Sequence, residues 1–149
     1  MSLFGKILKY IFGAPRTLQD DLFGEMLDAD GYYECFAYFQ PINKKIELGI
    51  GGDSDGPTKE ARAYYKKVEK EYFTLLERIA PFIQEDLKKW SPEVEIKVFE
   101  KEFEPVYLFI PDCRATEIKW TIAFETIHDS HLFTIEMNGN VPESLVVDG

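Results

Sequence analysis

Two periods alternate along this chain. Apolar side chains recur at every second position in several short runs, and at every third or fourth position in one long run. The first spacing belongs to a strand with one buried face and the second to an amphipathic helix. Asp21–Leu27 reads as a strand and leads to a turn at 28-DADG-31, where Asp and Gly supply turn chemistry. Tyr32–Gln40 is an aromatic-rich strand, and Pro41 and Asn43 mark the next turn. In Lys45–Gly51, Ile46, Leu48 and Ile50 oppose Lys45, Glu47 and Gly49. These runs predict a three-stranded meander.

The stretch 51-GGDSDGPT-58 interrupts the sheet. Beyond it Ala61, Tyr65, Val68, Tyr72, Leu75, Ile79 and Phe82 keep helical spacing, and Tyr64, Phe73, Leu76 and Ile83 widen the stripe. A stripe this broad packs on a sheet rather than in a coiled-coil seam. Run unbroken from Pro57 to Trp90, the helix is roughly 50 Å long. Pro81 predicts a kink or a break, and Ser91-Pro92 ends the helical region. Strands follow at Val94–Phe99, Val106–Ile110, Glu117–Thr126 and His131–Met137. Asn138-Gly139 is a strong two-residue hairpin signal. The last strand, Ser144–Val147, follows Pro142, which predicts an edge or a bulge. The order implies an α+β fold: a mainly antiparallel sheet of two β-meander halves, with a long, Pro-kinked helix on one face.

The first fifteen residues read separately. Leu3, Phe4, Ile7, Leu8, Ile11 and Phe12 share one helical face, with Lys6 and Lys9 opposite and Gly13 and Pro15 as stops. The expected organisation is therefore an amphipathic helix within 1–15 and a single α+β domain over 16–149. Residues 3–12 are too short to span a bilayer. Contact with a membrane surface or a partner is the functional reading of this helix, and packing on its own domain is the favoured one.

Charge narrows the function. The 149 residues carry a formal charge of −10, which repels phosphate backbones, so no nucleic acid is expected. A basic protein partner suits that charge better. Two cysteines, Cys35 and Cys113, make no disulfide framework. Without a secretory signal they read as reduced thiols of a cytoplasmic protein.

Candidate chemistry is sparse. Glu125, His128, Asp129 and His131 lie in one hairpin and contain the ligand types of a metal site. A metal-dependent hydrolase is the alternative function they allow. Their spacing, however, lacks the i, i+4 helical face that makes H-E-x-x-H a ligand set. His131 shares phase with Phe133, Ile135 and Met137, so a structural hairpin is the expectation. Asp53 and Asp55 fail the calcium-loop pattern, because Gly51 and Arg62 fall where ligands belong. Cys113 stands beside Arg114, a neighbour that can lower a thiol pKa, but no base adjoins it. Cys35 falls with the core positions of its strand. No nucleophile elbow, dinucleotide fingerprint or C-x-x-C is present, so neither a catalytic residue nor a cofactor is expected.

Two segments carry a resemblance. The run 21-DLFGEMLDADGYYECF-36 is similar to the opening of several small bacterial domain families of unknown function. The run 118-IKWTIAFETIHDSHLFTIEMNGN-140, with 145-LVVDG-149, is similar to their ending. Some such families resemble immunity proteins, which bind and neutralise a toxin. Trp120, His131 and Phe133 are the matched positions, and Ser130 and Leu132 depart from the pattern. The resemblance implies a non-enzymatic, protein-binding, immunity-like module with an acidic surface. Aromatic anchors for its partner would come from Trp120, Phe133, Tyr32, Tyr38 and Phe99.

Overall fold

The computed structural model describes residues 16–149, so the helix expected within 1–15 lies outside the described residues. Strands β1 (Thr17–Asp20), β2 (Gly24–Asp28), β3 (Tyr32–Phe39) and β4 (Lys44–Asp53) come first, and a short β5 (Gly56–Pro57) folds back on β4. Helix α1 (Lys59–Trp90) and the single turn α2 (Phe99–Glu102) follow. The chain then forms β6 (Phe103–Ile110), β7 (Lys119–Thr126), β8 (Leu132–Asn138) and β9 (Val141–Asp148).

The strands lie in the order β1-β2-β3-β4-β6-β7-β8-β9. Every pairing in that path is antiparallel except the central one, where β4 and β6 run parallel. Two antiparallel meanders thus meet along a parallel pair. Parallel neighbours cannot be joined by a tight turn, and α1 is the long crossover that links them.

The helix determines which face of the sheet is inside. Tyr65, Tyr72, Ile79 and Ile83 of α1 are buried against Phe39, Ile50, Leu108, Ile122 and Ile135. Thr58 starts the helix by accepting the Ala61 N–H at 3.0 Å, and its own hydroxyl donates to the Asp112 carbonyl at 2.6 Å. That bond ties the helix N-terminus to the chain leaving β6.

Two local expectations are corrected and one is narrowed. The first meander has four strands, because Thr17–Asp20 pairs with Gly24–Asp28 around a turn that Asp20 closes by accepting the N–H groups of Leu22 and Phe23. Of the kink or break expected at Pro81, the break does not occur: the helix continues through the proline and runs for 32 residues, about 48 Å. Proline removes one backbone donor there. Ile79 and Ile83, fully buried on either side, each contribute about 2 kcal/mol of apolar burial that offsets the loss. Finally, Val94–Phe99 is not a strand. Gln84 on α1 receives the Ile96 N–H at 2.6 Å and donates to the Val94 carbonyl at 2.9 Å, so this segment bonds to the helix instead of to a ladder. Glu102 then accepts the N–H groups of Lys97 and Val98.

The last hairpin forms where the sequence implies, but its two loop residues are Gly139 and Asn140 rather than Asn138 and Gly139, because Asn138 pairs with Val141. Gly139 has φ of +57° in the β8–β9 turn. Pro142 sits where the β8–β9 register shifts, on the edge strand.

Candidate functional site: the uncovered sheet face

Alternation along β3 sends Tyr33, Cys35, Ala37 and Phe39 under the helix and Tyr32, Glu34, Phe36 and Tyr38 to the other face. No element among the described residues packs over that second face. Phe36 is 49% exposed and Tyr38 is 51% exposed. Glu47 stands opposite Phe36 and Lys45 opposite Tyr38, and Tyr107 is in register with Glu47. The face carries more acid than base: Glu25, Glu34, Glu47, Glu125 and Glu136 occupy its positions, against Lys45 and Lys119.

One part of the face is closed by its own rings. Tyr32 meets Phe109 edge to face, with ring centroids 5.5 Å apart. Gly49 lies beneath, where a Cβ would come within 2.8 Å of the Phe109 ring and 3.1 Å of the Tyr107 hydroxyl. Glycine in a central strand is therefore a packing requirement here. Glu34 is only 7% exposed, and the Tyr32 hydroxyl donates to its Oε1 at 3.4 Å. Burial, reinforced by the Glu34 charge, pushes the Tyr32 phenol up to about 12. Burial also raises Tyr107, with Glu34, Tyr32 and Glu47 adding to it. Both phenols stay protonated at neutral pH and serve as donors and apolar surface.

Beside β3 the sheet opens. The ladder between β2 and β3 holds at Asp28–Tyr33 and Leu27–Glu34 and goes no further. The β1–β2 hairpin is drawn towards α1, where Asp20 pairs with both Arg62 nitrogens and Phe23 packs edge-on against Tyr65 at 5.2 Å. A gap of about 360 Å³ remains between Gly24–Glu25 and Cys35–Phe36, with Phe23 in its wall and Lys45 on its rim.

The sequence-derived candidates are distributed unevenly. Tyr38 is exposed and Tyr32 half-buried on this face. Trp120, Phe133 and Phe99 are not on it, and this is a correction: all three are buried beneath the helix. Trp120 is 1% exposed and donates its indole N–H to the Gly139 carbonyl at 2.8 Å, and Phe99 stacks on Phe103 at 4.5 Å. A side chain in the core cannot anchor a partner. Phe36 was missed. Its signal was present as the alternating partner of Cys35 and Ala37, but period alone does not say which face the helix takes.

The histidine hairpin is a closed turn. Thr126 accepts the His131 N–H at 2.9 Å and donates its hydroxyl to Asp129, whose other oxygen lies 2.9 Å from His131 Nδ1. The Thr126 hydroxyl, with the His131 ring behind it, holds the Asp129 carboxyl below its ordinary range. Glu125 pairs with Leu132 on the uncovered face, whereas His131 faces a groove with Trp90 on the helix side. His128 is exposed. Strand alternation separates Glu125 from His131, so the four residues do not converge. Among the described residues no three His, Cys, Asp or Glu side chains stand where they could hold a metal ion.

Arg114 does not activate Cys113. It pairs with Asp53 through both guanidinium nitrogens, one at 3.0 Å. Burial and the nearby Asp112 and Glu60 push the Cys113 thiol up to about 11. Burial takes Cys35 to about 12. No helix among the described residues is long and apolar enough to cross a membrane. Comparison with known proteins found no matching family model, no matching curated protein and no matching solved structure.

Proposed function

We propose that this chain is a non-enzymatic, cytoplasmic protein-binding module whose uncovered sheet face receives a basic partner. One observation carries the reading: Phe36 and Tyr38 stand half-exposed on the face opposite the helix, Phe36 beside Glu47 and Tyr38 beside Lys45, on a sheet face that carries more carboxylates than cations. Exposed aromatic rings are efficient anchors at protein interfaces. Rings flanked by carboxylates favour Arg and Lys, through cation–π contact and charge attraction together. The formal charge of −10 extends the attraction beyond the contact itself. An immunity-type role, neutralising a basic toxin, is the form of this function that the sequence resemblance implies.

Capture from host lysate tests the reading, with native protein and a Phe36→Asp/Tyr38→Asp variant compared side by side. The expected result is one basic polypeptide held near stoichiometrically by the native chain, released at high salt and not held by the variant. Equal capture by both, with the variant folded, overturns it.

A further inference from the structure

We infer that the unpaired half of β3 is a strand-addition site for an extended segment with alternating apolar and basic side chains. The inference rests on the protein-binding reading and specifies how the partner docks. Its basis is the direction of the β3 backbone groups. The Gly31 carbonyl accepts the Gly52 N–H at 3.4 Å, towards β4, and the Tyr32 carbonyl accepts the Ala29 N–H at 2.8 Å, towards β2. Successive residues of an antiparallel strand turn these groups to opposite sides. Odd-numbered residues of β3 therefore face β4 and even-numbered ones face β2. Glu34 meets Leu27, but the next even residues, Phe36 and Tyr38, have no β2 partner where the β1–β2 hairpin diverges, and Phe36 lines the gap it leaves.

Among the described residues no strand pairs with Phe36 or Tyr38 on that side. The Tyr38 carbonyl accepts the Tyr65 hydroxyl at 2.8 Å. The Phe36 N–H and C=O and the Tyr38 N–H remain presented as at a sheet edge, inside the sheet rather than at its border. An extended segment pairing there gains main-chain hydrogen bonds, and its alternating side chains supply specificity.

The two sides of the gap define that alternation. Phe23 and Cys35 lie towards the helix and receive apolar side chains. Glu25 lies with Phe36 on the uncovered side and favours basic ones, with Lys45 as the one cation lining this gap and Glu34 beside it already engaged by the Tyr32 hydroxyl. A second copy of this chain is a poor occupant, because each copy carries −10. The Asp20–Arg62 pair keeps the hairpin on the helix and the gap open.

Residue-resolved hydrogen exchange on the full chain tests this. The probes are the octapeptide (Arg-Val)4 and a fully N-methylated counterpart of equal charge, at physiological salt. In the free chain the Phe36 and Tyr38 amides are expected to exchange about tenfold or more faster than those of Ala37 and Phe39. The parent peptide slows them and the N-methylated one does not. Phe36→Pro deletes an outward N–H without touching the β4 ladder, and is expected to weaken peptide binding about tenfold more than Phe36→Ala does. Should Phe36→Pro fail to fold, the two peptides decide alone. Phe36 and Tyr38 amides already protected in the free chain, or equal binding of both peptides, overturns strand addition. A lysate partner that needs the Phe36 and Tyr38 side chains but leaves these amides unprotected also overturns it, while the protein-binding reading stands.

Discussion

Arg62 on α1 holds both oxygens of Asp20 at the end of β1 through its two terminal guanidinium nitrogens, and Asp20 Oδ2 also closes the turn to β2 by accepting two backbone N–H groups. One carboxylate thus links a hairpin turn to a helix. The arginine also lies over the Phe23 ring, 5.7 Å from its centre. The hairpin therefore follows the helix at this end rather than its neighbour β3.

Asp20→Asn is expected to destabilise the fold by about 2 kcal/mol at neutral pH, the scale of a charge-assisted hydrogen-bond pair. The arginine pair lowers the Asp20 pKa in the folded chain. A depressed carboxyl contributes stability that is complete above its unfolded value, near 3.9, and is lost as pH falls through the folded value. Urea midpoints of native and variant proteins should therefore converge as pH falls below about 4. A gap that stays constant down to pH 2 contradicts the assignment.

Gly49→Ala and Gly51→Ala should differ in severity. At Gly49 the obstacle is the Phe109 and Tyr107 side chains, which can shift, so a loss of about 1–3 kcal/mol is expected. At Gly51 a Cβ runs into the backbone of Pro111 and Asp112, which Thr58 ties to the helix start. Thermal melts should rank Gly51→Ala well below Gly49→Ala, and Phe109→Ala should recover part of the Gly49→Ala loss. The reverse ranking would show that the 111–112 segment can move aside.

In the histidine hairpin, Thr126 matters more to stability than His128. Thr126→Val removes an acceptor for the His131 N–H and a donor to Asp129, and is expected to lower stability by about 1 kcal/mol. His128→Ala, at an exposed loop position, should stay within about 0.5 kcal/mol. Elemental analysis of the purified protein should find no stoichiometric transition metal. A full equivalent that disappears in His131→Ala would revive the metal-dependent reading.

Cys113 should behave as a protonated thiol. With its pKa pushed up to about 11, alkylation at pH 8 should be slower than for an unperturbed cysteine and should climb as pH approaches that value. Alkylation rates from pH 7 to 10, read by mass spectrometry in a Cys35→Ala background, measure this. A rate already at its plateau by pH 8 would place Arg114 beside the sulfur rather than on Asp53.

Pro81→Ala is expected to stabilise the chain by about 1 kcal/mol. Alanine restores a helix donor, and the gain is reduced because proline also restrains the unfolded chain. A denaturant titration would show the midpoint rising. A falling midpoint would mean that the proline ring makes packing contacts worth more than the lost hydrogen bond.

Much of this architecture follows from local pattern. The two-residue period placed β3, β4, β7 and β8, and helical spacing from Ala61 to Ile83 placed α1, because side-chain direction repeats with backbone geometry. Gly139 and Pro142 marked the last hairpin and its irregular edge strand for equally local reasons, although the turn is Gly139-Asn140 and not Asn138-Gly139. Tertiary structure decided the rest. Val94–Phe99 alternates like a strand, yet Gln84, a dozen residues away in sequence, supplies its hydrogen bonds. The parallel pairing of β4 with β6 exists only because α1 crosses between them, and nothing local in either strand encodes it. Which aromatic rings are buried also followed from the helix. Once α1 covered one face, Trp120, Phe133 and Phe99 became core, while Phe36 and Tyr38 were left exposed. Periodicity divides a strand into two faces. Only the packing of distant elements decides which face meets the helix.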